Sequence, residues 1–164
     1  MNRAEMYGLR THVEIDFQTL LGTGQEGFVW KTARNSAIKV FERQGNFDRE
    51  LQCYKILQDL AINDINGFTV PELYGSDSEL RVIEMSIVAA PFLLDFGKAY
   101  VGCPPEFSSE VMDDYNTERE ELFEGNWDLV QSAIGRLRSY GIYYSDARPG
   151  NINCFGHPRT VGFE

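Results

Sequence analysis

Two short stretches carry residue types whose spacing suits acid–base and cation-binding chemistry. In "GIYYSDARPGNI" (141–152), Asp146 and Asn151 stand five positions apart, with Arg148 and Pro149 between them. A carboxylate there can orient a hydroxyl and accept its proton, an amide oxygen can ligate a divalent cation, and a guanidinium can neutralise developing negative charge. The same residues also suit a plain turn, since Asp, Pro, Gly and Asn each favour one for local reasons. The second stretch is "LLGTGQEGFVWKTARNSAIKVF" (20–41), where Gly22, Gly24 and Gly27 precede Lys39. Its glycine spacing fits a dinucleotide fingerprint, a loop laid over phosphates, or a tight hairpin with no ligand.

The elements around these residues narrow the choice. Val13, Ile15 and Phe17 alternate with polar residues, which predicts a half-buried strand over 13–22. "FVWKTAR" (28–34) and "SAIKVFE" (36–42) predict two more strands joined by a turn. "NFDRELQCYKILQDLA" (46–61) has Asn46 as an N-cap and apolar residues Phe47, Leu51, Tyr54, Leu57 and Ala61 at helical spacing. "FTVPELYG" (68–75) and "ELRVIEMSIV" (79–88) return to strand chemistry, and "AAPFLLDFGKAYVGCPPEF" (89–107) reads as a connecting segment. An acidic helix over 108–125 follows, then a helix capped by Asn126 with Trp127, Val130, Ile134 and Leu137 on one face, and "INCFGHPRTVGFE" (152–164) resembles a short hairpin. The chain thus divides into a strand-rich unit, 1–88, and a helical unit, 89–164.

A dinucleotide fold needs its third glycine to open a helix, but a strand follows Gly27, and no GK[ST] closes a P-loop. Lys39 alternates with Ile38 and Val40, so it points away from them, to the surface or into a cleft. At this point the chain resembles the protein-kinase-like superfamily. Gly22, Gly24, Gly27, Val29 and Trp30 match its glycine loop, Ala37, Ile38 and Lys39 its strand lysine, Glu50 its helix carboxylate, and Asp146 to Asn151 its catalytic loop.

The resemblance implies an α+β fold: a five-stranded antiparallel N-lobe with one helix, a connector, and a reduced, mostly helical C-lobe. It implies ATP and Mg²⁺ bound between the lobes and phosphoryl transfer to a hydroxyl acceptor. Gly22, Gly24, Gly27, Val29 and Ala37 would enclose the nucleotide. Lys39 would hold the α- and β-phosphates, oriented by Glu50. Adenine would lie against Glu84, Ser86 and Val88. Asp146 would act as base, Arg148 would replace the family's usual lysine, and Asn151 would bind the metal. A non-catalytic pseudokinase that engages a protein partner is the alternative reading.

The family pattern is broken in several places. Tyr144-Ser145 replaces His-Arg, and Glu26 puts a negative charge at the tip of the glycine loop, where solvent is expected to screen it. The DFG aspartate normally follows the catalytic asparagine, and thirteen residues beyond Asn151 stands Glu164 after "VGF", either a metal carboxylate or a frayed terminus. No activation segment or further C-lobe helices follow, so the apolar face around Trp127, Ile134 and Leu137 is expected to need cover from the acidic helix, a homodimer or a protein partner.

Composition sets the remaining limits. A net charge of −10 disfavours nucleic acid as a partner, since a phosphate backbone needs basic side chains to displace its counterions. With no apolar leader or membrane-length run, and with Cys53, Cys103, Cys154, His12 and His157 too scattered for a zinc site, a soluble cytoplasmic protein is expected.

Overall fold

A computed structural model describes residues 1–24 and 26–159. The elements in chain order are α1 (Arg3–Thr11), β1 (Ile15–Gly24), β2 (Gly27–Thr32), β3 (Ser36–Phe41), α2 (Gln44–Asp59), β4 (Asp64–Ile65), β5 (Phe68–Thr69), β6 (Leu73–Asp77) and β7 (Val82–Ser86). There follow β8 (Phe92–Leu93), β9 (Tyr100–Val101), α3 (Ser109–Leu122), α4 (Trp127–Ser139), β10 (Ile142–Tyr143) and β11 (Ile152–Asn153). The fold is α+β, with an antiparallel five-stranded sheet in the order β1-β2-β3-β7-β6.

Strand alternation sorts the sheet's two faces. Ala37, Phe41, Ile83 and Met85 point to one side and join Phe47, Leu51, Tyr54 and Leu57 of α2 in the main core. Ile38, Val40 and Val82 point to the other side, where Ala4 and Tyr7 of α1 cover them. Lys39 shares the α2 face, since it falls between Ile38 and Val40. A single-residue register slip would send it to the α1 side.

The helix α1 is not anticipated by the sequence reading. Its start is fixed by a capping box in which Asn2 Oδ1 accepts from the Glu5 amide (2.8 Å) and Glu5 Oε2 accepts from the Asn2 amide (2.9 Å). Arg3 then donates to the carbonyls of Phe41 (2.6 Å) and Leu80 (3.1 Å), tying the helix to the sheet. α2 begins at Gln44 with Arg43 as its N-cap, so Asn46 lies inside the first turn and does not cap it. The hairpin expected within 152–164 is replaced by a long-range pairing over its described part: β11 pairs antiparallel with β8, from the segment read as a connector.

Glu84 is corrected by the same alternation. It faces α1, away from α2, and its carboxylate is fully buried. It accepts from Arg34 Nε (2.7 Å) and Nη2 (2.5 Å), Ser36 Oγ (2.5 Å) and Tyr7 Oη (2.8 Å). Burial pushes this carboxyl up, but the bonds from Arg34, Ser36 and Tyr7 outweigh burial and hold it below its ordinary value. Stability from a depressed carboxyl is present above its ordinary value of 4.5 and is lost as the pH falls through the folded-state value. Glu84→Gln is therefore expected to cost about 3 kcal/mol at neutral pH, a deficit that shrinks in acid. Urea unfolding at pH 7 and pH 3 checks this, and a pH-independent deficit would contradict it.

The apolar face of α4 is covered by the chain itself. Trp127, Ile134 and Leu137 are buried, with Phe123 stacked on Trp127 at 5.6 Å and Tyr115 of α3 edge-on to it at 6.1 Å. This removes the physical motive for a homodimer or protein partner at that face. No helix among the described residues is long and apolar enough to cross a membrane.

Candidate active site

On the α2 face, a cleft of about 820 Å³ separates the sheet from residues 92–98 and 148–151. Its size lies in the roughly 300–1,000 Å³ range of small-molecule sites. Gly22, Gly24, Gly27, Val29, Ala37, Lys39 and Glu50 line one side, Ser86 and Val88 the inner end, and Arg148 and Asn151 the opposite side. Residues named from two distant motifs therefore meet at one cavity. Glu84 is not among the lining residues, and Glu164 falls outside the described residues.

The three loop glycines differ physically. Gly27 has φ +141°, and a Cβ there would drive into the Val40 carbonyl, so the β2–β3 pairing itself demands glycine. A Cβ on Gly24 would meet nothing, and one on Gly22 only ordinary contacts with Val29 at 3.8 Å. Packing thus accounts for the third glycine and leaves the first two bare toward the cleft.

Lys39 is held by carboxylates from three separate segments. Its Nζ lies 2.8 Å from Glu50 Oε2 of α2, 3.1 Å from Glu26 Oε2 and 3.3 Å from Asp95 Oδ1, and 4.7 Å above the Phe41 ring. Burial disfavours the ammonium, but Glu50, Asp95 and Glu26 outweigh it and raise the lysine above its ordinary value. Glu50, almost wholly buried, is raised by desolvation despite Lys39. Burial and a hydrogen bond with Asp95 push Glu26 up to about 7. Asp95 is pushed up by burial but pulled further down by Lys39 and by a hydrogen bond with Glu26, and ends below its ordinary value.

The expectation for Glu26 is therefore corrected. It is 7 % exposed and ion-paired to Lys39, where the sequence reading set it in solvent at the loop tip. Glu26 immediately precedes β2 and turns its side chain inward over Gly97.

Asp95 went unnoticed because the sequence reading looked for a metal carboxylate after Asn151, at Glu164. The signal was present in the tripeptide Asp95-Phe96-Gly97. Antiparallel pairing of β8 with β11 brings it alongside the Asp146–Asn151 segment, and the Leu94 amide donates to the Asn151 carbonyl (2.9 Å). Phe96 is fully buried, edge-on to Tyr54 of α2 (5.3 Å) and to Tyr144 (5.6 Å). The Tyr144-Ser145 pair also has a function here: Tyr144 Oη donates to the Leu94 carbonyl (2.6 Å) and Ser145 Oγ to the Lys98 carbonyl (2.9 Å). The two residues that depart from His-Arg clamp the segment that carries Asp95.

Asp146 does not line the cleft but stands behind residues that do. Its Oδ2 is 3.5 Å from Arg148 and 3.7 Å from Lys98, a cation the sequence reading did not single out. Asn151 Nδ2 donates to Asp146 Oδ2 (3.2 Å) and to its carbonyl (3.0 Å). With Nδ2 so committed, Asn151 Oδ1 is the acceptor left for a ligand. Asn151 and Asp95 both line the cleft and both offer oxygen donors, the chemistry that a hard cation such as Mg²⁺ takes. The cluster of Glu26, Glu50 and Asp95 has metal-like spacing too, but the Lys39 ammonium already contacts all three.

No protein-family profile matches the chain, and no curated protein matches it in sequence. Among solved structures, it is similar to the ternary complex of streptomycin, ATP and APH(2")-IIa. The TM-score is 0.39, with 16% identity over 73% of this chain. The chain spans 38% of the length of that protein.

Proposed function

We propose that this chain binds ATP with Mg²⁺ in the cleft and transfers the terminal phosphoryl group to a hydroxyl acceptor. In this reading the protein is kinase-like, with two lobes divided near residue 88, and the Asp95 segment precedes the catalytic loop in the chain where the family order has it follow. The observation that carries the proposal is the cluster of Lys39, Glu50 and Asp95 facing Asn151 and Arg148 across one cavity. The cavity is lined by Lys39, Lys98 and Arg148 and by as many carboxylates, Glu26, Glu50 and Asp95, so it offers cations for phosphates beside acidic oxygens for a metal ion.

Each residue then has a defined task. Gly22 and Gly24 let the loop backbone approach the phosphates, because neither glycine answers a packing demand. Lys39 pairs with the α- and β-phosphates, and Glu50 keeps it oriented. The adenine ring lies beside Ser86, Ile87 and Val88; the Ser86 amide already donates to the Glu72 carbonyl, which leaves Ile87 and Val88 to bind the base. Asp95 and Asn151 Oδ1 hold Mg²⁺, which neutralises charge among the phosphate oxygens when bound. Asp146 takes the proton as the acceptor oxygen bonds to the γ-phosphorus and the bridging bond to ADP breaks. Arg148 and Lys98 face the charge on the transferring group. The unpaired thiols of Cys53, Cys103 and Cys154 accord with a cytoplasmic, reducing setting.

A non-catalytic binding module is favoured by one observation, the occupation of Lys39 by Glu26. Thermal-shift titration separates the two readings. ATP with Mg²⁺ at a hundredfold over its Kd is expected to stabilise the protein by about 2.7 kcal/mol, in wild type and in Asp146→Asn alike. Turnover to ADP is expected only in wild type. A flat response to every nucleotide would favour the binding module.

A further inference from the structure

Glu26 is unusual among the cleft residues because it blocks the site that its neighbours build. Its Oε2 lies on Lys39 Nζ at 3.1 Å, the cation that the proposed function gives to the phosphates. Its backbone carbonyl accepts from the Glu42 amide at 3.0 Å, which fixes the loop tip over the sheet. Gly97 forms a socket for the carboxylate, since a Cβ at that position would come within 2.5 Å of Glu26 Oε2 and 3.0 Å of Oε1. Burial nevertheless opposes an ionised carboxyl in this seat, a cost relieved when the side chain returns to water.

We propose that Glu26 is an internal competitor for the phosphate subsite, a displaceable side-chain plug that occupies Lys39 in the empty cleft and swings away from it when a polyphosphate enters. The inference rests on the nucleotide reading of the same cleft. Glu26 and a phosphate both need Lys39 and the space beside it, so they exclude each other. Lys39 is not left alone in either state, because Glu50 keeps it paired. The plug therefore acts on affinity without dismantling the lysine's position. Emptying the socket should tighten ligand binding, the reverse of what removal of a binding residue does.

Two variants empty it by different means. Glu26→Gln removes the charge, and Gly97→Ala fills the socket while leaving Glu26 intact. The displaced atoms in the second case are the far end of a flexible side chain, so the fold should accommodate the added methyl. Hydrogen exchange of the amides over 22–28 in the unliganded protein, and calorimetric titration with ATP and with inorganic tripolyphosphate, read the two halves of the proposal. Both variants are expected to speed loop exchange and to bind either ligand about tenfold tighter than wild type, a difference of about 1.4 kcal/mol. Unchanged exchange in both variants would overturn the plug whatever binds. Faster exchange with equal or weaker affinity would overturn the competition while leaving the nucleotide reading in place. Faster exchange with no binding to any form would overturn the nucleotide reading, and the competition with it.

Discussion

Lys39→Met is expected to abolish ATP binding and to destabilise the fold by about 3–5 kcal/mol, because it strands buried carboxylates without their cation. Both effects follow from the same geometry. Glu50, Glu26 and Asp95 come from α2, the β1–β2 turn and the segment after β8, and the ammonium is the group they have in common. Methionine keeps the stem's volume against Phe41 and removes the charge. The deficit should depend on pH in a stated direction. Without Lys39 the buried carboxyls sit above their ordinary values in the folded state, so the variant is most stable when they are protonated and loses stability as the pH rises through those values. The gap from wild type is therefore widest at neutral pH and narrows in acid. For a chain of this length the neutral-pH loss corresponds to roughly 10 °C in midpoint. Calorimetry at pH 7 and pH 4 checks the direction, and a variant of wild-type stability at both would show that the cluster is not held by charge.

Asp95→Asn is expected to act on the metal dependence of binding. Wild-type ATP affinity should be higher with Mg²⁺ than with a chelator, and in the variant the ratio should fall to near one. Any turnover should drop on the order of a hundredfold or more, as when a group that stabilises transition-state charge is removed. Stability should change little, since Glu26 and Glu50 still hold Lys39. Titrations of both proteins with ATP, with and without Mg²⁺, measure this. A variant that keeps the full magnesium effect would remove Asp95 from the metal site.

The strand-rich part of the fold was legible because its elements are patterned locally. Alternation around Lys39 and helical spacing around Glu50 were enough to place them on neighbouring elements, while the 2.8 Å pair between them was an expectation of the resemblance. The loop spacing from Asp146 to Asn151 likewise brought both to the far side of the same cleft, although Asp146 stands one layer back. What was not legible depends on long-range pairing or on chain reversal. Asp95 reaches Lys39 only because β8 pairs with β11, strands separated by more than fifty residues in sequence. An expectation tied to motif order looked for that carboxylate at the other end of the chain. Glu26 was read as solvated because loop tips ordinarily are, and nothing local to the loop reveals the empty space above Gly97. The helix α1 was missed for a different reason. It is nine residues long with a glycine inside it, so its propensity is weak, and the Asn2–Glu5 capping box was the one available mark of its start.

The most direct measurement is a crystal structure with Mg²⁺ and a non-hydrolysable ATP analogue. The account predicts phosphate oxygens in contact with Lys39 Nζ, a cation shared by Asp95 and Asn151 Oδ1, and the Glu26 side chain withdrawn from Gly97. Phosphates bound elsewhere on the molecule, with Glu26 still seated on Lys39, would contradict it.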